Sequence, residues 1–109
     1  MWLRRNNIPH HSIPNSAARS AAQGAELKKQ GLVPGVPDMY VFVPGANIAI
    51  ELKRECGILG DVDTMQWYWH ETLAKQPGWH TCIAFGKTAA VDFVEAVRRY
   101  VDEGVQIAT

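Results

Sequence analysis

Residues 35–53 read GVPDMYVFVPGANIAIELK. Two β-prone runs, Met39 to Val43 and Ile48 to Lys53, flank Pro44-Gly45-Ala46-Asn47, so the stretch predicts a β-hairpin with a four-residue loop over 44–47. Side chains alternate across a strand, and parity therefore decides what faces what. Ile48, Ile50 and Leu52 share one face of the second strand, with Glu51 and Lys53 on the other. In the first strand Met39, Val41 and Val43 oppose Asp38, Tyr40 and Phe42. A loop of that length sets Val43 opposite Ile48, and hence Tyr40 opposite Glu51 and Asp38 opposite Lys53. Both apolar sets then lie on one side. Asp38, Glu51 and Lys53 gather on the other, where diagonal neighbours are about 7–8 Å apart at Cα.

An acid at the mouth of one apolar strand and an acid-x-lysine in the next suit a hard divalent cation, which bridges carboxylates while keeping several waters. A metal there binds a scissile phosphate as a Lewis acid and lowers the pKa of a bound water. Lys53 would orient that water or neutralise charge building on the phosphate. The bland alternative is a strand-edge aspartate and a Glu–Lys surface pair of little energetic weight.

Outward from the hairpin, Met1 to Ser16 carries Pro9, Pro14, His10-His11 and Asn6-Asn7 and reads as an extended N-terminal arm. Ala17 to Gln30 is alanine-rich and predicts a helix stopped by Gly31. Pro34, Gly35 and Pro37 make a rigid loop, and Gly57 and Gly60 bracket another. A helix begins at Asp63 and ends before Pro77-Gly78, Trp79 to Phe85 is a third strand, and Thr88 caps a last helix with Val91, Val94, Val97 and Val101 at helical spacing. The order is α, β, β, loop, α, β, α, an α/β chain.

A length of 109 residues fits a single domain spanning 1–109. Lys plus Arg and Asp plus Glu number 11 each, a balance that does not support tight, purely electrostatic binding of nucleic acid. A DNA partner would be held by local cations or by metal offsetting the acids. Cys56 and Cys82 are too few and too irregular for a disulfide framework or a zinc site and read as free thiols, Cys82 packed in an apolar stretch. No apolar run reaches membrane-spanning length, no secretory h-region follows the basic start, and a cytoplasmic location is the expectation.

The pieces Ile13-Pro14-Asn15 with Arg19, Leu27-Lys28 with Gly31, Gly35-Val36-Pro37-Asp38, Glu51-Leu52-Lys53 and Gln66 occur in an order that resembles a virus-type replication-repair nuclease domain (VRR-NUC) of the PD-(D/E)XK nuclease superfamily. The likeness covers roughly 13–100. It implies a small mixed β-sheet flanked by helices and Mg²⁺- or Mn²⁺-dependent hydrolysis of DNA phosphodiesters, with Asp38, Glu51 and the Leu52 carbonyl as metal ligands, Lys53 as the catalytic lysine and Gln66 beside it. It also implies a role in phage or bacterial replication and repair, branched DNA such as Holliday junctions as substrate, and a homodimer. Asn15, Arg19, Lys28, Lys29 and Arg54 are the candidate DNA contacts, with Arg4 and Arg5 as further cations. One departure stands out: family members carry a glutamate on a helix upstream of the IPN segment, and here no acidic residue precedes Glu26.

Other residues have competing readings. Asp63-Thr64-Met65-Gln66 fits a capping box, a use of Gln66 that competes with a place in the site. Met65, Trp69 and Leu73 recur every four residues and suit the core, leaving Trp67 and Tyr68 exposed or at an interface. His10 and His11 point to opposite sides of an extended segment, and His70 and His80 have no ligand-spaced partner, which argues against a zinc site. Arg98 and Arg99 read as a solvated helix face. Against the nuclease stand a DNA-binding module that keeps the fold without cleaving and a structural protein with surface ion pairs at Asp38 and Glu51.

Overall fold

The hairpin turns on two residues, not four. In the computed structural model, which describes residues 1–13 and 34–103, β2 spans Met39–Val43 and β3 spans Ala46–Lys53. Val43 pairs with Ala46, Val41 with Ile48 and Met39 with Ile50. Pro44 presets the first turn position and Gly45, at φ +83°, takes the left-handed second one, so Pro-Gly closes the hairpin without Ala46 and Asn47. Val101 lies against this turn so closely that a Cβ on Gly45 would sit 2.8 Å from its Cγ1. The register is therefore displaced by an even step from the four-residue reading. An even slip keeps every side chain on its expected face. It also brings Asp38, one position before the Met39–Ile50 pair, opposite Glu51 rather than Lys53.

The sheet has the order β1-β2-β3-β4, with β1 at His10–Ser12 and β4 at Trp79–Phe85. β1 and β2 are antiparallel to their next neighbours, and β3 and β4 are parallel. A parallel pair needs a crossover, and α2, Thr64–Ala74, supplies it after a short 3₁₀ turn at Leu59–Asp61. The chain is thus a small α/β fold with a mixed sheet flanked by helices, as its element order implies.

The N-terminal residues are not an extended arm. Trp2–Arg5 form a turn of helix, α1, and His10–Ser12 add a strand to β2, with Leu3 and Ile8 buried in the core. Apolar side chains at those two positions give the segment something to bury, which its prolines and histidines hide from a compositional reading. His10 and His11 are accordingly strand residues, and His10 Nδ1 lies 2.9 Å from the Ile8 carbonyl. The expected helix over 17–30, together with Asn15, Arg19, Lys28 and Lys29, lies outside the described residues.

α3, Lys87–Glu103, packs Val94 and Val97 onto Met39, Val41, Ile48, Ile50 and Ala84, which form the core with Leu3 and Ile8. Thr88 does not cap this helix: it is preceded by Gly86 at φ +98° and starts at Lys87. Cys56 is exposed and Cys82 half-buried, both free thiols, and burial pushes the Cys82 thiol up to about 11. No described helix is long and apolar enough to cross a membrane.

Candidate functional site

The two faces of the sheet divide the labour. The α3 face is apolar, and a cavity of about 700 Å³ at its end is lined by Trp2, Met39, Ile50, Leu52 and Val94, with no acidic group among the described residues. The opposite face, beneath α2, carries Asp38, Glu51 and Lys53.

Asp38 is pinned twice. Its carbonyl accepts from the Ile13 N–H at 2.8 Å, where β1 runs on past Ser12, and its Oδ2 accepts from the Leu52 N–H at 2.9 Å. β1 is thus part of what fixes the acid. Glu51 is only 3 % exposed. Burial, then a hydrogen bond with the Asp38 carboxyl and the charge of that group, push Glu51 up to about 8, with Asp63 adding to the rise and Lys53 opposing it. Two carboxyls hydrogen-bond only when one holds a proton, so near neutrality the pair shares one. Lys53 is half-buried on the same strand face as Glu51, with Phe85 as its cross-strand partner. Arg54 follows, exposed.

Gln66 does both jobs that compete for it in the sequence. Its backbone N–H donates to Asp63 Oδ1 at 2.9 Å and its Oε1 accepts from the Asp63 N–H at 3.1 Å, a reciprocal capping box. Its Nε2 donates to Glu51 Oε2 at 3.2 Å. An amide has an acceptor end and a donor end, so one side chain closes the helix and reaches the acid. Gln66→Ala should therefore lose both contacts and cost about 1–2 kcal/mol in chemical unfolding. Gln66→Glu keeps the acceptor for the cap but sets a carboxylate beside Glu51. Its loss of stability should be small at pH 5 and grow as the pH is raised, and equal losses at both pH values would refute the double role.

The helix stripe that faces the sheet differs from the one expected. Met65 is 44 % exposed, whereas His70 is 4 % exposed, so Gln66, Trp69, His70 and Leu73 form the inward side. The polar pair Gln66 and His70 turns the helix towards the acids. Trp67 and Tyr68 are exposed, as expected. Close packing sets the helix start: a Cβ on Gly35, itself at φ +85°, would lie 2.5 Å from the Met65 Cβ. Tyr40 and Trp79 meet edge to face at 5.4 Å on the acid side.

Strand parity brings Asp38, Glu51 and Lys53 together, the resemblance adds Gln66, and neither assigns His70 or Asp63 to the site. Burial lowers the His70 pKa, opposed by the charge of Asp38. A histidine one turn after Gln66 was the available signal. No group of three or more His, Cys, Asp or Glu side chains able to hold a metal ion occurs among the described residues. A cation here would rest on the two carboxylates and backbone oxygen. Leu52 suits that need: in a strand the N–H and C=O of one residue leave on the same edge, and its N–H points at Asp38. Glu51 Oε1 is buried with no donor upon it and opens to a ligand once the proton shared with Asp38 is lost. Comparison with protein-family models, curated proteins and solved structures returns no match.

Proposed function

We propose that this chain is a Mg²⁺- or Mn²⁺-dependent deoxyribonuclease that hydrolyses phosphodiester bonds. The observation that carries the reading is the Asp38–Glu51 pair, Glu51 buried and Asp38 half-buried, held by neighbouring strands with Lys53 two residues on. A strongly desolvated acid beside a second acid is costly to fold and is the kind of group that functional sites retain. The likeness to VRR-NUC domains adds the finer points: branched DNA, replication and repair, and a homodimer.

Asp38, Glu51 and the Leu52 carbonyl would hold the ion, which when bound polarises a phosphate oxygen and acidifies a water. The remaining work falls to the chain itself. Gln66 fixes one Glu51 oxygen and so aims the other. Lys53 presents its ammonium to the phosphate and offsets charge growing there. Arg54, exposed beside the site, meets the DNA backbone.

Purified protein incubated with a four-way junction and with linear duplex should cleave in Mg²⁺ or Mn²⁺ and not in EDTA. Asp38→Ala and Glu51→Ala should cut at background, and Lys53→Ala about 100- to 1000-fold more slowly than wild type, with folding intact. Full activity in any of the three sinks the assignment. Junction binding without cleavage in either metal would instead favour a DNA-binding module of the same fold. The absence of a third acidic or imidazole ligand among the described residues makes that reading the nearest rival.

A further inference from the structure

We propose that His70 is a positioning residue of the acid site, its ring N–H tied through one bridging water to the Glu51 oxygen that Gln66 leaves open. The inference rests on the proposed metal-dependent reading only for its consequences; the link itself is a statement about the folded chain.

His70 lies four residues after Gln66, one turn along α2 on the same face. Gln66 Nε2 already touches Glu51 Oε2 at 3.2 Å, so that face of the helix looks onto the acid pair. His70 is 4 % exposed and Glu51 3 %. Both ring nitrogens of His70 and the Oε1 of Glu51 are buried with no hydrogen-bond partner among the described residues. The charge of Asp38 acts on His70 against the effect of burial, so the ring feels the field of the same pair.

The chemistry then constrains the partner. Burial disfavours the imidazolium, so the ring is neutral, with one N–H donor and one bare acceptor nitrogen. A buried donor is rarely left without an acceptor in a folded protein. The orphan on the facing strand is a carboxyl oxygen, which accepts. The ring makes no direct bond to it, and one water spans such a gap while satisfying groups on both sides. An oxygen held this way, opposite one held by Gln66, fixes the orientation of the Glu51 carboxyl before any cation arrives. Outer-shell donors of this kind set metal affinity, and their loss typically weakens it by about 10- to 100-fold.

Two measurements on the full chain test the proposal. In long-range ¹H–¹⁵N spectra of ¹⁵N-histidine protein without metal, His70 should be a single neutral tautomer, and its ring nitrogens should shift in Glu51→Leu while those of exposed His11 do not. In Mn²⁺ titrations followed by electron paramagnetic resonance, His70→Phe should bind about 10- to 100-fold more weakly than wild type, with its melting temperature unchanged or raised. His70→Asn, which restores a donor, should recover most of the affinity. His70 ring shifts indifferent to Glu51→Leu overturn the proposal, as does wild-type affinity in folded His70→Phe. If His70→Phe does not fold, the ring shifts decide. If wild-type protein binds no Mn²⁺, the metal-dependent reading fails, and the ring shifts still judge the His70–Glu51 link.

Discussion

Glu51→Gln is expected to be more stable than wild type at pH 8, by about 2–3 kcal/mol or roughly 10 °C in melting temperature, while losing metal-dependent cleavage. Glu51 titrates near 4.5 in an unfolded chain and at about 8 in the folded one. Between those values the unfolded state sheds a proton that the folded state keeps, so stability falls as pH rises through the window and levels off above 8. A shift of that size has a ceiling of roughly 5 kcal/mol, and relaxation around the pair returns only part of it. Glutamine keeps the shape, removes the titration and leaves its own amide to face Asp38. Melting curves at pH 4.5, 6, 8 and 9 should therefore converge for the two proteins at the acid end and diverge towards the alkaline end. Curves that run parallel would show that Glu51 carries no desolvation burden. A site that destabilises the fold at working pH, and is relieved by one neutral isostere, is placed there for something other than folding.

Why the acid face was legible in the sequence, and the rest of the site less so, follows from what parity can and cannot carry. The alternation of Ile48, Ile50 and Leu52 with Glu51 and Lys53 survives an even slip in register, so the faces are readable from the sequence although the real loop is two residues shorter than its composition suggests. Turn length depends on whether Pro-Gly closes the chain at once, and Ala46 and Asn47 look as much like loop as like strand. The N-terminal strand was hidden because His10–Ser12 is short and gains its stability from pairing with β2, a contact no local pattern records. α2 misled for a related reason. Its large apolar residues sit on several sides, and the contact that decided its rotation is a hydrogen bond from Gln66 to a residue fifteen positions earlier. His70 gives no local sign of a place at the site, because the acids it faces lie across space rather than along the chain. By contrast α3, with Val94 and Val97 on one stripe, was readable because its apolar face alone determines how it packs.

The shared proton also governs how a cation would enter. At pH 7 a group titrating at about 8 is protonated in roughly nine molecules of ten, and a carboxyl must lose its proton to ligate. Binding of Mn²⁺ at pH 7 is thus expected to release close to one proton per ion, a number that calorimetry reads from titrations in buffers of different ionisation enthalpy. Release should fall towards zero above pH 9, where the proton has already gone. Apparent affinity should weaken about tenfold for each pH unit below 8, because the ion competes with that proton for the same oxygens. Stability responds in the same sense: at a hundredfold excess over the dissociation constant, Mn²⁺ should add about 2.7 kcal/mol at pH 8. The added stability should shrink on acidification as the dissociation constant rises. Asp38→Asn separates this from non-specific binding, since it removes one of the two acids that face each other across β2 and β3 and should abolish both the proton release and the thermal shift. Mn²⁺ that binds with no proton released at pH 7, or equally well to Asp38→Asn, would mean that the ion sits elsewhere and that the acid pair does not receive it.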